Sequence, residues 1–521
     1  MSWRSTRAAG HTGEPNRQVA VIDLGSNSWR LVVFTFVPGV WWKRTDELYE
    51  TVRIGEGLGA SGRLSEPAMQ RGLETLAVFE RFCAAGALRP RDIHVVATSA
   101  IRDAANQTEF VARAEAATSM RIEVLSGEDE ARFGYVAAIN TSTLTDGAVL
   151  ELGGGSLQLI RVRDREAAEL ESYELGAVRL TERFLCGSGP AKKKDLQRVR
   201  AHVRETLAAT GWLPEAGDRL VGIGGAVRNL AAAAQRRAGQ LDIGVQGFVI
   251  TAKEIGALVR ALARLPVAER GSVPGIKPGR GDIILAAALV IETVLELGAF
   301  AGIEVTEAGL RDGIFLAREM LAGSEPRFDD VRHAAVCNLA IQYQADMTHA
   351  EHVARLSLQM FDSLVAGGLF VPKPGERDLL WAAGMLHDVG MTIAYDDHHK
   401  HSQYLIVSAE LPGFDPRERA LIAQISRYHR KGAPKPGELA SLADEGDEEL
   451  LERCAVILRM AEHLERGRDQ SVSEARLRPN GHGAVLYLEA AGDLTVPRWS
   501  VERYGDEEAF ERVFGRRLSI G

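Results

Sequence analysis

Cysteine is scarce in this chain: Cys83, Cys186, Cys337 and Cys454 are the only 4 among 521 residues, and no two form a CxxC pair. Neither a disulfide framework nor a zinc knuckle is therefore implied, and a reducing compartment fits. Long apolar runs are missing too; none reaches the roughly 18 residues of a membrane-spanning helix. Residues 1–18 carry Arg4, Arg7 and Arg17 without the apolar stretch of a signal peptide, and they read as a disordered tail. A cytoplasmic protein with no membrane partner is expected. Excess positive charge is also lacking: 62 Lys and Arg stand against 71 Asp and Glu, a net charge of −9. Broad attraction to nucleic acid is not expected, and a polyanionic substrate would need a local basic lining.

What is present is an ordinary globular composition, 45% apolar and 26% charged. It excludes a mainly disordered, collagenous or coiled-coil chain. The length suggests about three or four domains. Glycine is frequent, at 53 residues, and clusters after apolar runs. VAVID at 19–23 reads as a buried strand, GSNS as a turn and RLVVFTFV as a returning strand. Helical periodicity follows around 65–86, then a strand at 93–98, the polar stretch TSAIRDA, a strand at 122–127 and a helix opening at Glu128.

At 148–162 the opening pattern returns as AVLEL, GGGS and LQLIRV. Asp23-Leu24-Gly25-Ser26-Asn27-Ser28 and Glu151-Leu152-Gly153-Gly154-Gly155-Ser156 share one frame, offset by 151 − 23 = 128 residues. This predicts an internal duplication of an α/β domain, with halves at 19–135 and 136–315. A third glycine loop, Gly222-Ile223-Gly224-Gly225-Ala226, leads into a helix. Residues 331–475 read as consecutive helices, in a domain placed at 325–477 that carries nine of the 13 histidines. A small α+β domain is expected at 480–521, and the DEGDEE run at 444–449 reads as a solvated loop.

A strand that ends in an acid and turns through Gly-x-x-Ser gathers several backbone N–H groups at one point, a nest for phosphate oxygens. Glycine permits close approach of the backbone. The acid can hold Mg²⁺, which bridges phosphate oxygens. One such loop can be an ordinary turn. Two in the same frame, with a third glycine loop, point to phosphate.

VIDLGSNS, TSAIRDA, VLSGEDEAR, LELGGGS and GIGGAVRNLA, in that order, resemble the Ppx/GppA phosphatase family in its long form. PGIKPGRGDII and HHKHSQYLI…RYHRK extend the resemblance, which runs from about residue 19 to 521. It implies a duplicated actin-like fold of the sugar-kinase type, then an all-α HD-like domain and a small C-terminal domain. It further implies Mg²⁺- or Mn²⁺-dependent release of terminal phosphate from inorganic polyphosphate, or of the 5′ γ-phosphate from pppGpp, by a homodimer. Glu130 takes the position of the family's catalytic glutamate, which would deprotonate the attacking water. Arg102 matches a phosphate-contacting arginine. Gly25, Ser26, Asn27, Gly153, Gly154, Gly155, Ser156, Gly224 and Gly225 would surround the phosphates, and Asp23, Glu151 and Gln158 the metal. From the residues alone, Glu128, Asp129 and Glu130 are equally ordinary charge placement at a helix start.

The pattern departs from the family in three places. Glu151 stands where the family has Asp, Gln158 where it has Glu, and Ala226 where it has Thr. The first two weaken a metal site on paper. They leave room for a slow enzyme, an altered metal preference or a regulator that binds without turnover.

In the second half, His387-Asp388 with His352 about one helix upstream follows the pattern of HD-type metal phosphohydrolases. His399, His401 and His429 could add ligands, and such donors suit a divalent metal. Glu462 stands where that pattern ends in Asp. The plainer reading, placed ahead, is a catalytically silent domain with a buried hydrogen-bonded His-Asp pair. The basic run Arg427, Tyr428, His429, Arg430, Lys431 could track a polyanion, as could Lys277 and Arg280. Lys192, Lys193 and Lys194 read as solvated charges. The expected activity is exopolyphosphatase, with pppGpp 5′-phosphohydrolase or a phosphate sensor as alternatives.

Overall fold

The apolar run at 19–22 is buried end to end, as a strand needs when both faces of its sheet are covered. It lies in strand β1 (Arg17–Leu24), which begins inside the expected tail. The structure, a computed structural model, describes residues 15–521 except 322, 324, 482 and 505. Residues 1–14 of the expected tail thus lie outside the described residues. The chain divides into two compact units between Val331 and Arg332.

In the first unit, β1 pairs antiparallel with β2 (Trp29–Val37), which pairs antiparallel with β3 (Trp41–Glu50). On its other side β1 runs parallel to β4 (Ile93–Ala97), and β4 to β5 (Ile122–Val124). The order is β3-β2-β1-β4-β5. The second sheet holds β6 (Gly147–Leu152), β7 (Leu157–Arg163), β8 (Glu166–Tyr173), β9 (Leu220–Ile223), β10 (Val249–Thr251) and β11 (Gly302–Val305). Its order, β8-β7-β6-β9-β11-β10, repeats the first with one strand added at the edge. The expected duplication and the actin-like plan are both present. The register carries the repeat to single residues. Asp23 faces Arg30 across β1 and β2, and Glu151 faces Gln158 across β6 and β7.

Each sheet has its own apolar core. The helix Ile284–Leu297 buries nearly every side chain, as a helix apolar on all sides must. The helix Gly127–Ile139 is capped by Ser126, whose hydroxyl accepts from the Asp129 amide at 3.0 Å, and this places Glu130 in its first turn. A Cβ on Gly313 would collide with the Phe133 carbonyl of that helix, so the short helix Leu310–Phe315 lies directly against it.

The second unit is helical up to Leu464, then closes with strands β12 (Val472–Asn480), β13 (Gly483–Ala490) and β14 (Arg517–Ile520) in that order. β12 starts within the stretch read as helical. The DEGDEE run is not simply a solvated loop. Asp447 is fully buried at the start of the helix Asp447–Leu464, with its carboxylate 2.5 Å from Arg417. Among the described residues no helix is long and apolar enough to cross a membrane.

Candidate functional site

The turns after β1 and β6 and the turn after β9 meet around one cavity of about 110 Å³ in the first unit. Gly25, Ser26 and Asn27 line it from the first turn, Gly153, Gly154 and Ser156 from the second, and Gly224 and Gly225 from the third. Gly155 faces a neighbouring hollow beside Ser26 instead.

The second turn is tied from behind. The amides of Ala177 and Val178, at the start of the helix Ala177–Phe184, donate to the carbonyls of Gly153 at 3.0 Å and Gly154 at 2.8 Å. Arg179 Nε donates to the Gly155 carbonyl at 3.2 Å. With its carbonyls drawn back, the turn is biased towards presenting N–H groups, the geometry of an anion nest. The third turn needs glycine. Gly224 has φ of 113°, and a Cβ there would meet the Leu152 carbonyl oxygen at 2.7 Å. The helix Gly225–Arg237 opens at this point, so its N-terminus adds partial positive charge at the cavity.

Three acids, the buried Glu130 and Glu151 and the half-buried Asp23, share the cavity. Burial holds the pKa of Glu130 above its ordinary value, although Arg102 Nη1 donates to Glu130 Oε2 at 2.9 Å and works against it. Ser156 Oγ donates to the other oxygen at 3.3 Å. Burial, and then the charges of Glu130 and Asp23, push Glu151 up to about 8. Glu151 Oε2 is buried with no hydrogen-bond partner. Asp23 is also raised by burial, despite Arg311 Nη1 at 2.9 Å. Of the three, Glu151 alone has no arginine hydrogen-bonded to it, so its unpartnered oxygen is the atom of this cluster that could serve as a cation ligand.

The basic lining required by the acidic composition is present, and most of it escaped the sequence reading. Arg30, Arg228 and Arg311 line the cavity with Arg280. Burial lowers Arg228 to about 10, which still leaves it charged at neutral pH. The Arg280 guanidinium sits where a Cβ on Gly225 would fall. Arg30 had a legible signal: it is the counterpart of Gln158 in the repeat, 30 + 128 = 158. Arg228 lies within the GIGGAVRNLA stretch. Arg311 had no signal, because its partner Asp23 is 288 residues away.

Other expected positions fall elsewhere. Gln158 does not line the cavity. It is fully buried, and its Nε2 donates to Ser156 Oγ at 2.9 Å and Ser172 Oγ at 3.1 Å, so it supports Ser156 from behind. Arg102 reaches the site through Glu130. Lys277, Lys192, Lys193 and Lys194 are exposed.

In the second unit, His349, His387, Asp388, His398, His429 and Glu462 are all buried and close together. His352 is not among them. It shares a helix face with His349 one turn away, but its Nε2 lies 3.3 Å from Glu465 and its Nδ1 2.9 Å from Arg355. Only His349 comes level with His387. His429 is likewise not part of a basic surface run. It is fully buried, while Lys431 is exposed and Arg427 donates to Gln403 at 2.7 Å. Burial pushes His429 down to about 3, so its imidazole is neutral. Burial also acts to lower His387, but Asp388 and Glu462 overcome it and hold it up at about 9. His399 is buried and pushed down to about 4 by that burial; neither it nor His401 belongs to the close groups found among the described residues.

A duplicated actin-like unit with a nest of glycine turns, an arginine lining and a buried carboxylate defines an enzyme that handles phosphoryl groups. The model of the Ppx/GppA phosphatase family matches residues 42–321 and that of its domain III matches residues 331–494, and the chain belongs to this family of phosphatases. Among similar proteins, the guanosine-5′-triphosphate,3′-diphosphate pyrophosphatase of Vibrio vulnificus is 29% identical over 482 residues, 90% of this chain and 92% of its own. The protein of the same name from Vibrio parahaemolyticus is 27% identical over 498 residues, 93% of this chain and 95% of its own. A crystal structure of an exopolyphosphatase from Cytophaga hutchinsonii is similar in fold, with a TM-score of 0.53 and 23% identity over 57% of this chain and 96% of its own.

Proposed function

We propose that this protein is an exopolyphosphatase that hydrolyses the terminal phosphoanhydride bond of inorganic polyphosphate. The observation that carries this reading is the cavity lining: four arginines and three glycine turns around a buried glutamate, with no aromatic ring among the lining residues. Such a lining recognises phosphate and offers a base no surface to stack on.

In this reading the glycine turns donate to the oxygens of the terminal phosphoryl group. Arg30, Arg228, Arg280 and Arg311 balance its charge and that of the adjacent phosphate. Glu130 accepts a proton from the attacking water as the water oxygen bonds to phosphorus. The P–O bond to the rest of the chain breaks, leaving orthophosphate and a polyphosphate one unit shorter. Arg102 and Ser156 hold the two oxygens of Glu130. Asp23 and Glu151 would hold Mg²⁺ or Mn²⁺, and the unpartnered Glu151 oxygen fits that donor set. The bound ion supplies positive charge to the phosphate oxygens.

A second reading, 5′-phosphate removal from pppGpp, is supported by the two Vibrio relatives, which are named as pyrophosphatases of that nucleotide. Phosphate release from long-chain polyphosphate and from pppGpp, measured side by side with Mg²⁺, separates the two. A higher kcat/KM for polyphosphate is expected. The reverse order transfers the function to pppGpp, and no release from either substrate overturns hydrolysis at this site.

Arg102 also sets the pH profile. It lowers the Glu130 pKa against burial, so the acid limb of kcat/KM should lie above the ordinary glutamate value but below that of the variant. Arg102→Gln should move that limb to higher pH and lower the plateau. A pH–rate profile with an unmoved limb would remove Arg102 as the partner of Glu130.

A further inference from the structure

We propose that the helical unit contains a binding site for a divalent first-row transition-metal ion, built from His349, His387, Asp388, His398, His429 and Glu462. It is separate from the phosphate cavity and from any ion held by Asp23 and Glu151.

Five segments bring these side chains together. His349 projects from the helix Met347–Ala366, and His387 and Asp388 follow the helix Glu376–Leu386. His398 opens the helix His398–Ser408, His429 lies just past the helix Pro416–Arg427, and Glu462 is in the last turns of Asp447–Leu464. The apolar packing of the helices would be satisfied by any small residues here. Six polar groups converging in a buried space need a partner of their own.

The tautomers identify that partner. His387 Nδ1 lies 2.7 Å from the Gly384 carbonyl, His398 Nδ1 2.8 Å from the Tyr395 carbonyl, and His429 Nδ1 2.6 Å from the Ser426 carbonyl. A carbonyl only accepts, so each Nδ1 carries its proton. Where the ring is neutral, as at His429, Nε2 then presents a lone pair to the cluster, and His398 Nε2 faces it directly. His387 Nε2 points into the same space towards Asp388 and Glu462, where a bound cation would take the place of its proton. His398 Nε2 and His429 Nε2 are 3.1 Å apart. Two lone pairs at that distance repel, and a cation between them turns the repulsion into two bonds. Fixing the ring through Nδ1 and a carbonyl is how proteins orient metal-binding imidazoles.

The spacings suit one coordination sphere. Donors about 2.1 Å from an ion lie roughly 3.0–3.4 Å from one another in octahedral or tetrahedral geometry. His398 Nε2 is 3.2 Å from Asp388 Oδ1, His387 Nε2 3.6 Å and His429 Nε2 3.8 Å from the same oxygen. His349 Nε2 and His387 Nε2 lie 3.0 Å and 3.3 Å from Glu462 Oε2. By strict hydrogen-bond geometry His349 Nε2, His387 Nε2 and Glu462 Oε2 are buried without partners. Arg468 holds Asp388 Oδ2 at 2.6 Å, which leaves Oδ1 turned to the imidazoles. Four nitrogen donors select Mn²⁺, Fe²⁺, Co²⁺ or Zn²⁺ over Mg²⁺ or Ca²⁺, which prefer oxygen.

The test uses the full chain, stripped with a chelator, reloaded separately with Mn²⁺, Fe²⁺ without air, Co²⁺ and Zn²⁺, desalted and analysed for metal. Wild type should retain about one ion or more per chain of at least one metal. The double variant His398→Gln/His429→Gln should lose at least one ion per chain relative to wild type, while His202→Gln, in the other unit, should lose none. Equal retention in wild type and the double variant, or no retained ion in wild type, overturns the proposal. Should the double variant fail to fold by far-UV circular dichroism, the visible spectrum of Co²⁺-loaded wild type decides. Absorption altered by nitrogen ligation supports the site, and a spectrum like that of aqueous Co²⁺ overturns it.

Discussion

Glu130→Gln should lower kcat for terminal phosphate release by about 10²–10⁴-fold, the range for removing a general base. The substitution is nearly isosteric. It keeps an oxygen to accept from Ser156 but has no oxygen able to take a proton at neutral pH. Substrate binding by the glycine turns and the arginines is left in place, so KM should change far less than kcat. Folding should survive, since the variant removes a carboxylate that burial already disfavours. It does leave Arg102 with Asp103 as its remaining anionic partner, and a modest change in melting temperature is expected. Glu130→Asp, which keeps a base on a shorter arm, should lose less than Glu130→Gln. The check is phosphate release at saturating substrate. A Glu130→Gln rate close to that of wild type would place the base elsewhere in the protein.

Gly176→Ala should be strongly damaging although it adds a single methyl. The added Cβ would collide with the backbone of Gly154 and Gly155. Backbone atoms cannot swing aside as a side-chain tip can. The glycine turn after β6 must then move away from the amides of Ala177 and Val178 that hold its carbonyls. Overpacking of this kind costs about 1–3 kcal/mol. A displacement on the order of 1 Å in a group that positions a reacting phosphate can cost roughly 10²-fold in rate. A lower melting temperature together with a fall of that size in kcat/KM is the expected result. Gly187→Ala is the matched control, because a Cβ there has nothing within 4 Å. A folded Gly176→Ala protein with full activity would show that the second turn does not hold substrate.

The parts of the site that were legible in the sequence are those made by contiguous residues. A glycine turn after a buried strand is one local event, and its chemistry is written in four to six neighbouring letters. The frame shared by Asp23 and Glu151 exposed the duplication for the same reason. Strands β3 and β8 left weaker marks, because β3 is largely exposed and its polar residues follow no clear alternation. Glu130 was named only through the family resemblance; its own segment also reads as an ordinary helix cap.

The sequence by itself determined the repeated turns and the change from an α/β first part to a helical second part, since each follows from local backbone preference and hydrophobic period. Tertiary structure alone decided that Arg311 reaches the cavity and which histidine of a pair enters the second cluster. Arg311 meets Asp23 across 288 residues, and His349 rather than His352 faces His387 because of the level at which two helices pack. Such meetings depend on how buried surfaces fit together, and helical spacing offers both histidines equally until the packing chooses one.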